Sequence, residues 1–238
     1  MTHMATNELK RYQESAVEEL VLKTKLLLAK SLDKKTIVFQ APTGSGKTFM
    51  MSQYIERIIK EKPDDDMCFL WVSIGKGGLH KQSYASLKNI FAGFPRCYLL
   101  EEEFFGSRQT IDKNEVVVVN WEKLNSKDGK TGEWKSKLMK DKETTNFREL
   151  VQNTRAKRTK MIMIIDESHA TANAKGALEI RDLINADLTI EMSATPVFAK
   201  GQYNEEVAVQ PDDVIAEGMI KKEIIINEDI DKIDDDEV

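Results

Sequence analysis

Residues 41–48 read Ala-Pro-Thr-Gly-Ser-Gly-Lys-Thr, small and turn-forming residues set between the apolar run Thr36-Ile37-Val38-Phe39 and the helix-like stretch Phe49-Met50-Met51-Ser52-Gln53-Tyr54-Ile55. The chemistry this pattern serves is phosphate binding. Glycines let successive backbone N–H groups converge on phosphate oxygens, and a helix that starts directly after them turns its positive end toward the same anion. Thr43, Gly44, Ser45 and Gly46 would form the cradle, Lys47 would reach the β and γ phosphates, and Thr48 would offer its hydroxyl to Mg²⁺. The usual pattern opens on glycine where this chain has Ala41, the next smallest residue.

A second group of chemically capable residues closes the apolar run Met161-Ile162-Met163-Ile164-Ile165, which stops at Asp166-Glu167-Ser168-His169. An unbroken apolar run is expected of a central strand buried on both faces of a parallel sheet. Acids at the C-terminal end of such a strand lie where α/β sheets bind ligands. Asp166 would hold Mg²⁺ through its water shell and Glu167 would polarise the attacking water. Asp-Glu after a strand is common by itself. Joined to the phosphate loop it makes a catalytic set of Lys47, Asp166 and Glu167, with ATP and Mg²⁺ as cofactors and Thr48 and Asp166 on the metal.

Leu188-Thr189-Ile190-Glu191-Met192 reads as one more short strand, followed by Ser193-Ala194-Thr195-Pro196. The phosphate loop, the Asp-Glu-Ser-His box and Ser-Ala-Thr-Pro, in that order, resemble the first motor domain of superfamily 2 helicases and translocases. Small-molecule kinases share the loop and lack the other two. The resemblance implies that Ser193 and Thr195 couple the state of the γ phosphate to the grip on nucleic acid, with His169 helping to connect the two. Taken alone, His169 would more often be a structural histidine. Upstream, Leu9, Tyr12, Ala16, Leu20 and Leu27 recur near helical spacing, and Gln13 stands where the family places its adenine-reading glutamine. A glutamine amide gives and accepts one hydrogen bond each, the complement of adenine, which would favour ATP over GTP. The alternative is a solvated helix surface.

Two further loops have the composition of phosphate-backbone contacts. Phe69-Leu70-Trp71-Val72-Ser73 reads as a strand and runs into a loop and helix start carrying Lys76, Gly77 and Gln82; Val116-Val117-Val118-Val119 leads to Asn120 and Trp121. Lys, Gln, Asn and backbone N–H groups in such loops position a strand without reading its sequence. Trp121 is also a residue that could simply pack on the core.

The wording Gly-Lys-Gly-Gly-Leu-His-Lys-Gln-Ser, Val-Asn-Trp-Glu-Lys-Leu, Asp-Glu-Ser-His-Ala and Ser-Ala-Thr-Pro-Val, with Val214-Ile215-Ala216-Glu217-Gly218-Met219-Ile220-Lys221-Lys222, is similar to the restriction (Res) subunit of type III restriction-modification systems from about Lys10 to Asn227. The resemblance implies an ATP-driven helicase or translocase that moves along or switches on DNA, with its nuclease further downstream and a methyltransferase (modification) subunit as partner. An RNA helicase, or a nucleotide-dependent nucleic-acid-binding half-module without its own turnover, remains the alternative.

The elements that must position these residues follow from the same pattern. Strands are expected near 36–40, 67–73, 96–100, 116–120, 161–165, 188–192 and 223–227, with helices between, giving an α/β, RecA-like P-loop NTPase fold of a mostly parallel sheet with helices on both faces. Residues 1–8 read as a flexible terminus or tag remnant, 9–227 as the ATP-binding domain, and 228–238 as an acidic disordered tail or a linker to a second RecA-like domain. A chain of 238 residues holds one such core. A superfamily 2 motor closes ATP between two, the second supplying an arginine finger. The expectation is therefore a half-motor or the N-terminal part of a longer polypeptide, binding ATP weakly and hydrolysing it slowly alone.

Composition removes other classes. The net charge of −5 provides no global basic field, although residues 123–160 hold twelve Lys or Arg against five Asp or Glu, net +7. That stretch reads either as a DNA-tracking surface or as a solvated insertion with a helix around Phe147 to Arg155. Cys68 and Cys97 fit no motif, and His3, His80 and His169 have no metal-ligand spacing. With no signal segment and no run of eighteen apolar residues, a cytoplasmic protein without a membrane partner is expected.

Overall fold

A computed structural model describes residues 8–73, 78–100, 108–120, 147–166, 181–196 and 201–221. The chain enters through α1 (Arg11–Leu28), whose buried Tyr12, Gln13, Ala16, Val17, Leu20, Val21, Thr24 and Leu27 fall at helical spacing on one face. Lys10 precedes it in an extended conformation, and its backbone N–H donates to Gln13 Oε1 at 2.9 Å, satisfying one donor at the helix start.

Strands and helices then alternate: β1 (Thr36–Gln40), α2 (Lys47–Glu61), β2 (Met67–Ser73), α3 (Leu79–Phe91), β3 (Arg96–Leu99), β4 (Glu115–Asn120), α4 (Phe147–Ala156), β5 (Lys160–Asp166), β6 (Leu188–Ser193), β7 (Glu205–Ala208) and α5 (Pro211–Ala216). Among the described residues the strands form one seven-stranded sheet in the order β3-β4-β2-β5-β6-β1-β7, every neighbouring pair parallel. Alternate strand residues go to opposite faces. Phe69 and Trp71 of β2 join Ile37, Phe39, Ile162 and Ile164 under α1, α2 and α3, whereas Cys68, Leu70 and Val72 join Val117, Met163 and Ile165 under α4. With helices on both faces, β2 and β4 are buried along their whole length, which is why they read as uninterrupted apolar runs.

Six of the strands lie where the sequence pattern puts them. The seventh expected strand, 223–227, is outside the described residues, as are 1–7, 228–238 and the basic residues 123–146. Nothing in the pattern predicts β7, which pairs with β1 at the sheet edge with only Val207 fully covered. The helix expected around Phe147 to Arg155 is α4, and it is not merely solvated: Phe147, Leu150, Val151 and Thr154 pack down on the sheet. Two carboxylates lie inside the core with arginine partners, Glu115 with Arg108 at 2.7 Å and Glu191 with Arg181 at 3.0 Å, as a buried charge requires. Among the described residues no helix is long and apolar enough to cross a membrane.

Candidate nucleotide-binding site

Because all seven strands are parallel, their C-terminal ends share one edge of the sheet, and the register ranks the site residues along it. Gln40 pairs with Ser193, Asp166 with Met192 and with Ser73, and Ser73 with Asn120. The chain order of these positions gives no hint of this rank. The phosphate loop leaves β1 beside the Ser193 segment, with the acid of β5 on the far side of β6.

The loop is shaped by its own backbone. Ala41 is fully buried and donates its N–H to the Ser193 carbonyl at 3.1 Å. Its φ is not in the left-handed region, so glycine is not required there, which accounts for the departure from the usual pattern. Gly44 and Gly46 do need to be glycine: φ is +82° and +84°, and a Cβ would stand 3.0 Å from Ile220 Cγ2 and 2.7 Å from Gln13 Nε2 respectively. Between them Ser45 donates its N–H to Pro42 O at 3.2 Å. The Gly46 carbonyl accepts the first bond of α2 from Met50 N–H at 2.9 Å. The opening N–H groups of α2 have no acceptor inside the helix, and the macrodipole adds positive potential at the same point.

Each predicted site residue among the described ones has a definite place. Thr43 and Gly44 are exposed on the loop, and Lys47 and Thr48 are half-buried in the first turn of α2. The Lys47 ammonium folds back to the Ala41 carbonyl at 3.4 Å. Asp166 is half-buried at the last position of β5. Ser193 is buried at the end of β6, its Oγ accepting the Thr195 N–H at 3.1 Å, so the Ser-Ala-Thr segment is folded on itself directly against the loop's first residue. Gln13 is 3% exposed and both ends of its amide are engaged: Oε1 with Lys10 N–H, and Nε2 donating to the Ser45 carbonyl at 3.0 Å. On the second loop cluster, Asn120 Nδ2 lies 3.3 Å from His80 Nδ1, tying the end of β4 to the first turn of α3, and Gln82 is exposed on that helix. Glu167, His169, Lys76, Gly77 and Trp121 lie outside the described residues.

Two participants were given no place at the site by the sequence. The Tyr12 hydroxyl donates to the same Ser45 carbonyl at 2.7 Å; burial raises its pKa, Gln13 lowers it, and Glu217 adds to the rise. Ile220, carried past Gly218 (φ +70°) at the end of α5, reaches over Gly44. The hydrogen bonds Met219 N–H to Val214 O at 3.1 Å and Gly218 N–H to Ile215 O at 2.9 Å close the helix and send the chain toward the loop. Tyr12 stands 33 residues from Ser45, so only the fold brings them together.

The residues present fit a polyphosphate. Besides the two left-handed glycines and the helix start, the Ser45 hydroxyl is buried and has no hydrogen-bond partner among the described residues. Among the described residues no three His, Cys, Asp or Glu side chains converge on a metal. A hydroxyl and one carboxylate suit Mg²⁺, which keeps waters and takes its remaining ligands from phosphate.

A parallel sheet with a glycine-built phosphate loop after β1, an acid ending β5 and a hydroxyl segment ending β6 defines a RecA-like P-loop domain of the helicase kind. The comparisons agree with that class and narrow it. The chain belongs to the family described as type III restriction enzyme, res subunit, whose model matches residues 6–198. No curated protein matches the sequence significantly. Among solved structures, a nuclease-deletion mutant of the Type ISP restriction-modification enzyme LlaGI, in complex with a DNA substrate mimic, aligns with a TM-score of 0.55 at 13% identity, covering 90% of this chain and 21% of that one. The ATP-dependent Type ISP enzyme LlaBIII, bound to DNA, gives 0.51 at 15% identity, over 85% and 15% of the two chains. The UvsW helicase from bacteriophage T4 gives 0.46 at 14% identity, over 84% and 59%. The chain thus spans about a fifth or less of the two restriction-modification enzymes, and at these identities the likeness is one of fold.

Proposed function

We propose that this chain is the ATP-binding motor domain of a DNA helicase or translocase, working within the Res subunit of a type III restriction enzyme and coupling ATP hydrolysis to movement or switching on DNA. The observation that carries the reading is the bond from Ala41 N–H to Ser193 O, which joins the phosphate loop to the hydroxyl segment on one edge of the sheet, with Asp166 two strands away from the loop. In this reading Thr43, Gly44, Ser45 and Gly46 wrap the phosphates with backbone N–H groups, and Lys47 leaves the Ala41 carbonyl for the β and γ oxygens. Thr48 and Asp166 hold Mg²⁺, whose bound charge would draw electron density from the transferring phosphoryl group. Glu167, next in sequence, orients the attacking water. Ser193 and Thr195, with His169, carry the change at the γ phosphate toward the loops after β2 and β4, where Lys76, Gly77, Gln82, Asn120 and Trp121 contact the DNA backbone. A second RecA-like domain completes the site, and a methyltransferase subunit supplies the target.

The test is phosphate release from MgATP with and without duplex DNA, for the wild-type chain, Lys47→Ala and Asp166→Asn. Slow release, as expected of one half of a two-domain site, that falls to background in both variants supports the reading. Release unchanged by Lys47→Ala contradicts it.

A further inference from the structure

After β7, residues 209–220 form an arch that meets the phosphate loop at both of its ends. At the start, the Val209 N–H donates at 2.8 Å to the carbonyl of Gln40, which directly precedes the loop. At the other end the chain turns through Gly218 (φ +70°), is closed by the bond from Met219 N–H to Val214 O at 3.1 Å, and comes down on Gly44. A Cβ built on Gly44 would stand 3.0 Å from Ile220 Cγ2 and 4.0 Å from the Met219 carbonyl oxygen.

Between these two fastenings the arch is lightly held. Only Val209 and Val214 are buried in it, while Asp212, Asp213, Ala216 and Met219 are exposed. Its ion pair with the start of α1, Glu217 to Lys10 at 3.8 Å, joins two partly exposed side chains, and such pairs contribute little. A cleft of about 350 Å³ separates the arch from α1, lined by Ser15 and Glu19 on one side and Val209, Asp213 and Ala216 on the other, so the two are not packed along their length. A segment with so few buried contacts opens at a small fraction of the free energy of global unfolding. Gly44 is itself exposed and has no side chain to resist a shift.

We propose that the arch is a sensor of phosphate occupancy, in which Ile220 passes the state of Gly44 to the chain that continues beyond Lys221. The inference rests on the nucleotide reading given above. Phosphate oxygens that draw in the N–H groups of the loop fix Gly44, and a fixed Gly44 gives Ile220 a firm surface on which to close. Coupling of this kind is reciprocal: phosphate stabilises the seated arch by the same factor as the seated arch strengthens phosphate binding. The route is separate from the Ser193 segment, because β6 and β7 flank β1 on opposite sides.

The experiment is amide hydrogen exchange read by mass spectrometry on the wild-type chain, Lys47→Ala, Ile220→Ala and Ile220→Val. Each is measured without ligand and with saturating magnesium tripolyphosphate or MgATP, the affinities being taken by calorimetry. Tripolyphosphate carries neither base nor ribose, so the protection it confers on the arch comes through the phosphates. In the wild type, exchange over residues 214–221 is expected to slow by about fivefold or more with either probe, beyond any slowing in α4. Ile220→Val keeps Cγ2, the atom that faces Gly44, and should respond as the wild type does. Ile220→Ala should show no such slowing and should bind tripolyphosphate more weakly by a similar factor, and Lys47→Ala should show no slowing. Unchanged exchange over 214–221 in a wild-type chain that binds the probe would overturn the proposal. So would a response of Ile220→Ala equal to that of the wild type. A wild-type chain that bound neither probe would remove the nucleotide reading itself, and the sensor with it.

Discussion

Gly46 is constrained from two sides, by its backbone and by its neighbour. A left-handed φ of +84° costs an L-residue about 1–2 kcal/mol, and the amide that a Cβ would strike is tied down by two hydrogen bonds. Gly46→Ala is therefore expected to lower stability by about 1–3 kcal/mol, read from urea midpoints, and to weaken nucleotide binding in the same protein. Ala41→Gly, at a position without positive φ, is expected to change stability by only about 0.5–1 kcal/mol. A second residue-scale expectation concerns pH. The hydrogen bond from Arg57 at 2.5 Å holds the Glu14 carboxyl below its ordinary range, with burial opposing and the Coulomb attraction of Arg57 assisting. A carboxylate depressed in the folded state contributes stability above its unfolded pKa, near pH 4, and loses it as pH falls through the folded value. Both side chains are partly exposed, 28% and 41%, so the pair is worth about 1 kcal/mol or less. Arg57→Ala should show that deficit at pH 7 and none near pH 2 in paired urea titrations.

Among the elements, α4 illustrates a hydrogen bond that links chain segments far apart. Thr154, fully buried on α4, accepts the Ile111 N–H at 2.9 Å and donates to the Leu150 carbonyl at 2.7 Å. Thr154→Val preserves the shape, removes the hydroxyl and leaves the Ile111 N–H buried without an acceptor. A loss of about 1–3 kcal/mol in denaturant unfolding is expected, and no loss would contradict the role given to this hydroxyl. The sheet was legible where strands are long and covered on both faces: β2, β4 and β5 each carry at least four consecutive apolar residues ending in Ser73, Asn120 or Asp166. The edge strand β7 was not legible, because Glu205-Glu206-Val207-Ala208 is too short for a period and gives up only one side chain to the core. The helix α5 announces itself only by Pro211 at its start and Gly218 after its end. At the site, the need for glycine at 44 and 46 was readable from residue types, and their positive φ agrees. The Tyr12 contact and the Ile220 approach depend on packing between distant segments, and no local pattern encodes them.

Across the whole molecule, the two apolar layers give different accessibility to the two thiols. Cys68 lies fully buried beneath α4, and burial, with the nearby acids Asp187, Glu115 and Asp112, pushes its pKa up. Cys97, also buried but with 8% of its surface exposed, sits on the edge strand β3. Thiol-reagent labelling of the native protein is expected to modify Cys97 well before Cys68, with Cys68 reacting only at the rate of global unfolding. Fast native labelling of Cys68 would mean that the layer beneath α4 opens locally. The same two-layer packing fixes the ligand edge, since it holds Gln40, Ser193, Asp166, Ser73 and Asn120 in register at the ends of five adjacent strands. The central claim is that this edge holds a nucleoside triphosphate with Lys47 on its phosphates. Calorimetric titration of MgATP into the wild-type chain and into Lys47→Ala tests it most directly. Saturable, magnesium-dependent binding that disappears in Lys47→Ala is the result expected, and equal binding by both proteins would contradict the account.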